Sequence, residues 1–138
     1  MTATRAPWTG GLALLYFMVM STFALATFEE GCVEETLGAL VASELAESEN
    51  DPSIRGVLAR IAEDETRHAE LAWRTLAWAL GQGGEPVTAA VRGKLDALGA
   101  AASDEPRRGE LLREVVAPCL DALLTSATRR SDPCRTHS

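Results

Sequence analysis

The sequence predicts an all-α protein, and three observations carry the prediction. Ala and Leu are abundant, whereas the chain holds only one Tyr, three Phe and three Trp and has no β-branched alternating run that would mark a strand. Apolar residues between Pro52 and Leu80 recur at helical spacing. Helix stop and start signals at "ENDPS" (residues 49–53) and "GQGGEP" (residues 81–86) divide the chain into helical segments.

With 138 residues the chain has the length of one domain, with a modest core that a partner surface could help to complete. A net charge of -7, from 20 acids against 13 bases, gives no electrostatic footprint for DNA or RNA, so no nucleic-acid partner is expected. Cys32, Cys119 and Cys134 show no C-x-x-C spacing and leave an odd thiol, which supports neither a zinc knuckle nor a disulfide framework.

The first element begins after "MTATRAP" as an apolar run from Trp8 to Phe28. Three readings are open. Arg5 ahead of a stretch ending in Ala24, Leu25 and Ala26 has the layout of a signal peptide with a small-residue cleavage site, which implies export. Residues 8–28 are also long enough to attach the chain to a membrane. The run continues without a breaker into "FEEGCVEETLGALVASELAESEN", however, so the simplest reading is one long helix of a cytoplasmic protein, its first half buried on all sides.

At "ENDPS" Asn50 is suited to a left-handed end position, Asp51 to the N-cap and Pro52 to the first helical position. A second helix then runs from about Pro52 to Leu80 and stops at Gly81, with Gly83, Gly84 and Pro86 preventing continuation. Two weaker helices follow, residues 86–100, interrupted by Gly93, and residues 104–127, which Pro118 should kink or break. The expected organisation is a helical hairpin with an apolar extension over residues 1–82, C-terminal helices over 83–125 and a polar, disordered tail over 126–138 that carries His137.

On the wheel of the second helix, Ile54, Leu58, Ile61, Glu65, His68, Ala72, Leu76 and Ala79 form one stripe. The acid-to-base pairs Glu63/Arg67 and Glu70/Arg74, each at i, i+4, mark the opposite, solvated side. Glu65 and His68 therefore fall on the face expected to be buried, where an ionised carboxylate is costly unless paired or bound to a metal. A Glu65–His68 pair in the core and a metal site are the two readings of that position.

The first helix offers a third group. Glu30, Leu37 and Glu44 share one side of its wheel, with Glu34 about 40° away, while Glu35 lies about 140° from Glu30 among Phe28, Gly31, Cys32, Gly38, Ala39 and Ala42. Glu35 and Glu65 are each 15 residues from Asn50, or about 22 Å along their helices, so an antiparallel hairpin sets them at one level. Glu35, Glu65 and His68 form one inward cluster, with Glu30 a weaker alternative ligand or supporting group.

A carboxylate on one helix followed about thirty residues later by E-x-x-H on its antiparallel neighbour is the half-site of the di-iron carboxylate bundles. In this the sequence resembles the ferritin-like superfamily in its rubrerythrin-like branch. Over residues 20–80, "EEGCVEETLGAL" and "IAEDETRHAELAWRTLAWAL" are similar to the C-terminal half of bacterial ferritin-like domain proteins. The resemblance implies a four-helix bundle, iron as a di-iron centre with manganese as the other metal open to it, and ferroxidase, peroxide-scavenging or oxygenase chemistry. It assigns metal ligation to Glu35, Glu65 and His68.

The family's complete site takes one Glu from each of two helices and an E-x-x-H from each of two others. No second E-x-x-H exists in this chain, and residues 1–19, where relatives would carry the first helical pair, contain no acid. The chain is then either a half-domain or a truncated relative. A half-domain is completed by a homodimer, whose two-fold axis would join two half-sites and bury the apolar N-terminal run. The competing expectation is a metal-free helical interaction protein, membrane-attached through residues 8–28, in which Glu65 and His68 form a structural pair and Trp73 and Trp78 serve as packing residues.

Overall fold

In a computed structural model that describes residues 9–130, the chain is all-α, as its composition predicts. α1 (Thr9–Ala26), a π-helical stretch (Thr27–Glu34) and α2 (Glu35–Ser48) follow one another with helical backbone angles at both junctions, giving one unbroken rod. The expectation of a single long helix is met. Three residues turn the chain, with extended angles at Glu49 and Asp51. α3 (Pro52–Ala101) returns antiparallel to the rod and is broken once, at Gly84. A 3-10 turn (Ala102–Asp104), α4 (Pro106–Leu111), a second π stretch (Leu112–Val116) and α5 (Ala117–Arg130) complete the described chain.

The turn is built as the sequence suggests on its α3 side and differently on its α2 side. The Asp51 carboxylate accepts the backbone N–H groups of Ser53 at 2.8 Å and Ile54 at 3.3 Å, and Pro52 fills the first turn, where its missing N–H has no partner to lose. No described non-glycine residue has a positive φ, so Asn50 does not take a left-handed position. Instead the Arg55 guanidinium donates to the carbonyls of Glu49 at 3.0 Å and Asn50 at 3.3 Å, serving the orphan acceptors a left-handed cap would otherwise satisfy.

The helix expected to stop at Gly81 runs on to Gly83. Only Gly84 leaves helical geometry, at φ 65° and ψ -158°, a region that only glycine occupies readily, and Pro86 begins the next helical arm where it needs no N–H partner. A Cβ on Gly83 would stand 2.2 Å from Val87 Cγ2, so close approach across the break requires glycine there too. Pro118 does not end a helix either. The π stretch just before it widens the backbone where the ring would meet the Glu114 carbonyl. α5 extends to Arg130, into the stretch read as a tail; Cys134, His137 and the remainder of that stretch, like Arg5 and Trp8, lie outside the described residues.

Met20, Ala24, Phe28, Cys32, Val33 and Leu37 of the rod pack against Leu76, Ala79, Leu80, Val87 and Val91 of α3 and Leu112, Val116 and Leu120 of the C-terminal segments. The ring of Trp73 meets Phe28 edge-on, centroids 6.2 Å apart, and its indole N–H donates to Thr36 Oγ1 at 3.2 Å. Trp73 is the packing residue expected; Trp78 is 56% exposed and touches Phe23 edge-on. Acids along the rod fasten the C-terminal segments by ion pairs: Glu29 with Lys94 (2.6 Å), Glu34 with Arg108, and Glu44 with Arg107.

Two burial expectations fail. Leu12, Leu14, Leu15, Tyr16, Phe17, Met18 and Val19 are all exposed, because α1 extends past the point where α3 breaks at Gly84 and no described residue covers them; from Gly10 onwards, Met20 is the first buried residue of the rod. Gly10–Ser48 is, by length and composition, the one described helix able to cross a membrane. On the first arm of α3 the buried residues are Ala62, Ala69, Leu76, Ala79 and Leu80: the stripe members Leu76 and Ala79 are buried as expected, whereas Ile54 and Ile61, nearer its start, are exposed. α3 meets the rod along one flank, and at its first turns Ile54 and Ile61 lie outside that contact.

Phe28→Ala removes a fully buried ring and its contact with Trp73, and should destabilise the chain by about 3–5 kcal/mol in urea unfolding followed by circular dichroism. Gly84→Ala, with no core atom lost, should cost roughly 1–3 kcal/mol through backbone strain alone.

Candidate metal centre

Glu35 opens α2 directly after the π stretch, and Glu65 and His68 lie one turn apart on α3. The turn register brings the three together: one ligand atom from each lies within 4.8 Å of the others. His68 Nδ1 stands 3.8 Å from Glu35 Oε2 and 3.9 Å from Glu65 Oε2.

Small residues make this level of the hairpin tight. A Cβ on Gly31 would meet the Ala72 Cβ at 2.6 Å, so the helices can approach there only with glycine. One turn past Glu35, Gly38 lies against the Glu65 carboxyl, where an added Cβ would be 3.8 Å from Glu65 Cγ. These contacts hold both carboxyl groups in the crevice between the helices, each about one-third exposed, whereas the His68 side chain is 64% exposed. The imidazole expected in the core therefore sits at the mouth of the crevice.

A core hydrogen-bonded pair of Glu65 and His68 is not what forms. A separation of 3.9 Å is too long for a hydrogen bond. It does suit donors around a common ion, since atoms each about 2.1 Å from one metal stand roughly 3–4 Å apart. Two carboxylates and an imidazole are the donor types that hold divalent iron, manganese or zinc.

The pairing of like charges shows in the titration of Glu35. Its carboxyl is raised above the ordinary glutamate range, first by a hydrogen bond in which it shares a proton with Glu65, then by burial and by the Glu65 charge; His68 pulls the other way when charged. A raised folded-state value means the native chain keeps a proton that the unfolded chain releases above about pH 4.5. The pair thus opposes folding increasingly as pH rises from that value, unless a cation replaces the proton.

The π stretch places one more acid than the wheel did. Its i to i+5 hydrogen bonds bring residues five apart towards one side, so Glu30, placed about 140° from Glu35 on a 3.6-residue wheel, lines the same recess as Glu35 with Phe23, Ala26, Thr27 and Gly31. The recess has a volume of about 400 Å³. No regular periodicity announces a π stretch, so a 3.6-residue wheel sets Glu30 apart from Glu35.

No family model matches the chain, and neither a curated protein nor a solved structure matches it.

Removing one of the two facing charges should relieve the repulsion. In metal-free protein at pH 7, Glu35→Gln should raise the melting temperature by on the order of 2 °C, the effect being kept small by the partial exposure of both groups. The gain should vanish at pH 4, where the native pair already holds its proton; a gain equal at both pH values would show that the pair is not under electrostatic strain.

Proposed function

We propose that the chain is a ferritin-like metal protein that binds iron, or manganese, in the di-iron carboxylate manner at a site assembled between two chains. The observation that carries the reading is the convergence of Glu35, Glu65 and His68, from two helices, with their donor atoms within 4.8 Å of one another and no hydrogen bond from His68 to either carboxylate. Glu35 and Glu65 are the carboxylate ligands and His68 the nitrogen ligand. The proton that Glu35 holds above the ordinary glutamate range leaves when the metal arrives, so affinity rises with pH as Glu35 titrates.

Three donors on the open side of a crevice leave coordination positions for further ligands and for a small reactant. Iron held by carboxylates and imidazole supplies one-electron chemistry towards oxygen or peroxide, which is the basis for a ferroxidase or peroxide-related activity. Within this chain, Glu30 shares the adjoining recess with Glu35 and would be the nearest further carboxylate to a metal held there.

A second reading, a metal-free helical interaction protein attached to a membrane through its N-terminal run, draws on one specific observation. α1 is apolar and exposed from Leu12 to Val19 on every face, and a helix apolar all round suits lipid. Fractionation of expressing cells separates the two, since this reading requires the intact chain in the membrane pellet.

Protein purified anaerobically with ferrous iron should carry one iron per chain and have the mass of a dimer by light scattering, whereas a metal-free monomer would refute the proposal. His68→Ala should lose the metal with helix content unchanged. Unaltered iron stoichiometry in that variant would show the ligand assignment to be wrong.

A further inference from the structure

The two sides of the hairpin are unlike. One flank is covered by the C-terminal segments, held by the pairs of Glu29, Glu34 and Glu44 with Lys94, Arg108 and Arg107. The other carries a second apolar line. On α3, Ile54 and Ile61 lead to His68 at seven-residue spacing, and Val57, Leu71 and Trp78 flank that line; all five apolar members are exposed, from 43% for Ile61 to 64% for Leu71. On α2, Val41 and Leu45 continue from Gly38 on the same side, 42% and 50% exposed. Phe23, at the edge of the Glu35 recess and against Trp78, joins the two ends.

The size of this face and the position of the site within it indicate what covers it. Eight large apolar side chains, each about half exposed, present on the order of 800 Å² per copy, the area that a standard stable interface removes from each partner. Glu65 and His68 lie near the midpoint of the line from Ile54 to Trp78. Asp64 falls at seven-residue spacing between Val57 and Leu71, on the face itself, with its charge met by Arg67 at 3.0 Å.

Resting on the metal-site reading above, we infer that the occupant of this face is a second copy of the same chain. The two-fold axis passes close to His68, so that Glu35, Glu65 and His68 of one copy face the same three residues of the other. A self-complementary line with its site at the centre is what an isologous contact requires. With the site at one end, the same axis would leave the triads far apart. The apolar side chains on either side then exclude water from the joined centre, and each copy supplies the ligands the other lacks.

The test compares wild type, Glu65→Gln and the double variant Ile61→Glu/Leu71→Glu, whose substituted side chains are exposed in the single chain and outside its core. Each is examined by light scattering, circular dichroism and titration with ferrous iron under anaerobic conditions. Wild type should be a dimer binding one iron per chain, and the double variant a monomer of unchanged helix content whose iron affinity falls at least tenfold. Glu65→Gln should lose iron and stay dimeric. A wild-type monomer that binds iron, or a double variant that remains dimeric, overturns the interface while leaving the metal reading standing. A monomeric double variant with unchanged iron affinity overturns the claim that the second copy completes the site. A dimer that dissociates on Ile61→Glu/Leu71→Glu but never binds iron supports the interface and rejects the metal reading.

Discussion

Two carboxyl groups held against each other in the crevice between antiparallel helices are the constraint on which the rest of this structure depends. The Glu65 carboxyl beside it raises Glu35 above the ordinary glutamate range, and repulsion between the two once Glu35 ionises works against the hairpin that brings them together. Their approach is determined by features at a distance. The Asp51 cap fixes where α3 starts, Arg55 closes the end of α2, and Gly31 lets the rod come close to Ala72 one turn from the site. A fold organised for stability alone would fill such a crevice with apolar side chains, as it does one level further along at Phe28 and Leu76. A strained cluster kept in place by well-packed neighbours is where function is sought.

The same packing accounts for the asymmetry of the molecule. The break at Gly84 turns the second arm of α3 aside, which lets Val87 and Val91 close the core and brings Lys94 to Glu29. α4 then reaches Glu34 and Glu44, so Glu29, Glu34 and Glu44 of the rod are each matched by a base. These surface pairs contribute little individually, but they orient the C-terminal segments on one flank. What they leave uncovered is the flank with the site and, beyond the break, the first turns of α1.

Much of this was legible in the sequence, for local reasons. Cap chemistry at Asp51 and Pro52 depends only on neighbouring residues, and equal counts from the turn are enough to set Glu35 level with Glu65. What stayed hidden depends on contacts distant in sequence or on departures from regular helix. Gly81, Gly83 and Gly84 are alike as letters, yet Gly84 alone takes the positive φ of the break and Gly83 is the one against which Val87 packs. Apolar spacing located a stripe on α3 but not which part of it the chain itself would cover, since Ile54 and Ile61 have the periodicity of core residues and are exposed. The π stretch changes the angle per residue, so a wheel drawn at 3.6 residues per turn misplaced Glu30 relative to Glu35. The metal-ligating role given to Glu35, Glu65 and His68 is a reading of residue types at close range, and it stands or falls on chemistry rather than on the fold.

The most direct measurement is therefore a crystal structure of protein loaded with ferrous iron, with diffraction recorded on either side of the iron absorption edge. The account predicts an anomalous peak within coordinating distance of Glu35, Glu65 and His68 together, facing its counterpart in a second copy across a two-fold axis. An iron-loaded crystal whose anomalous map is empty at these three side chains, or whose peak lies elsewhere on the chain, would contradict it.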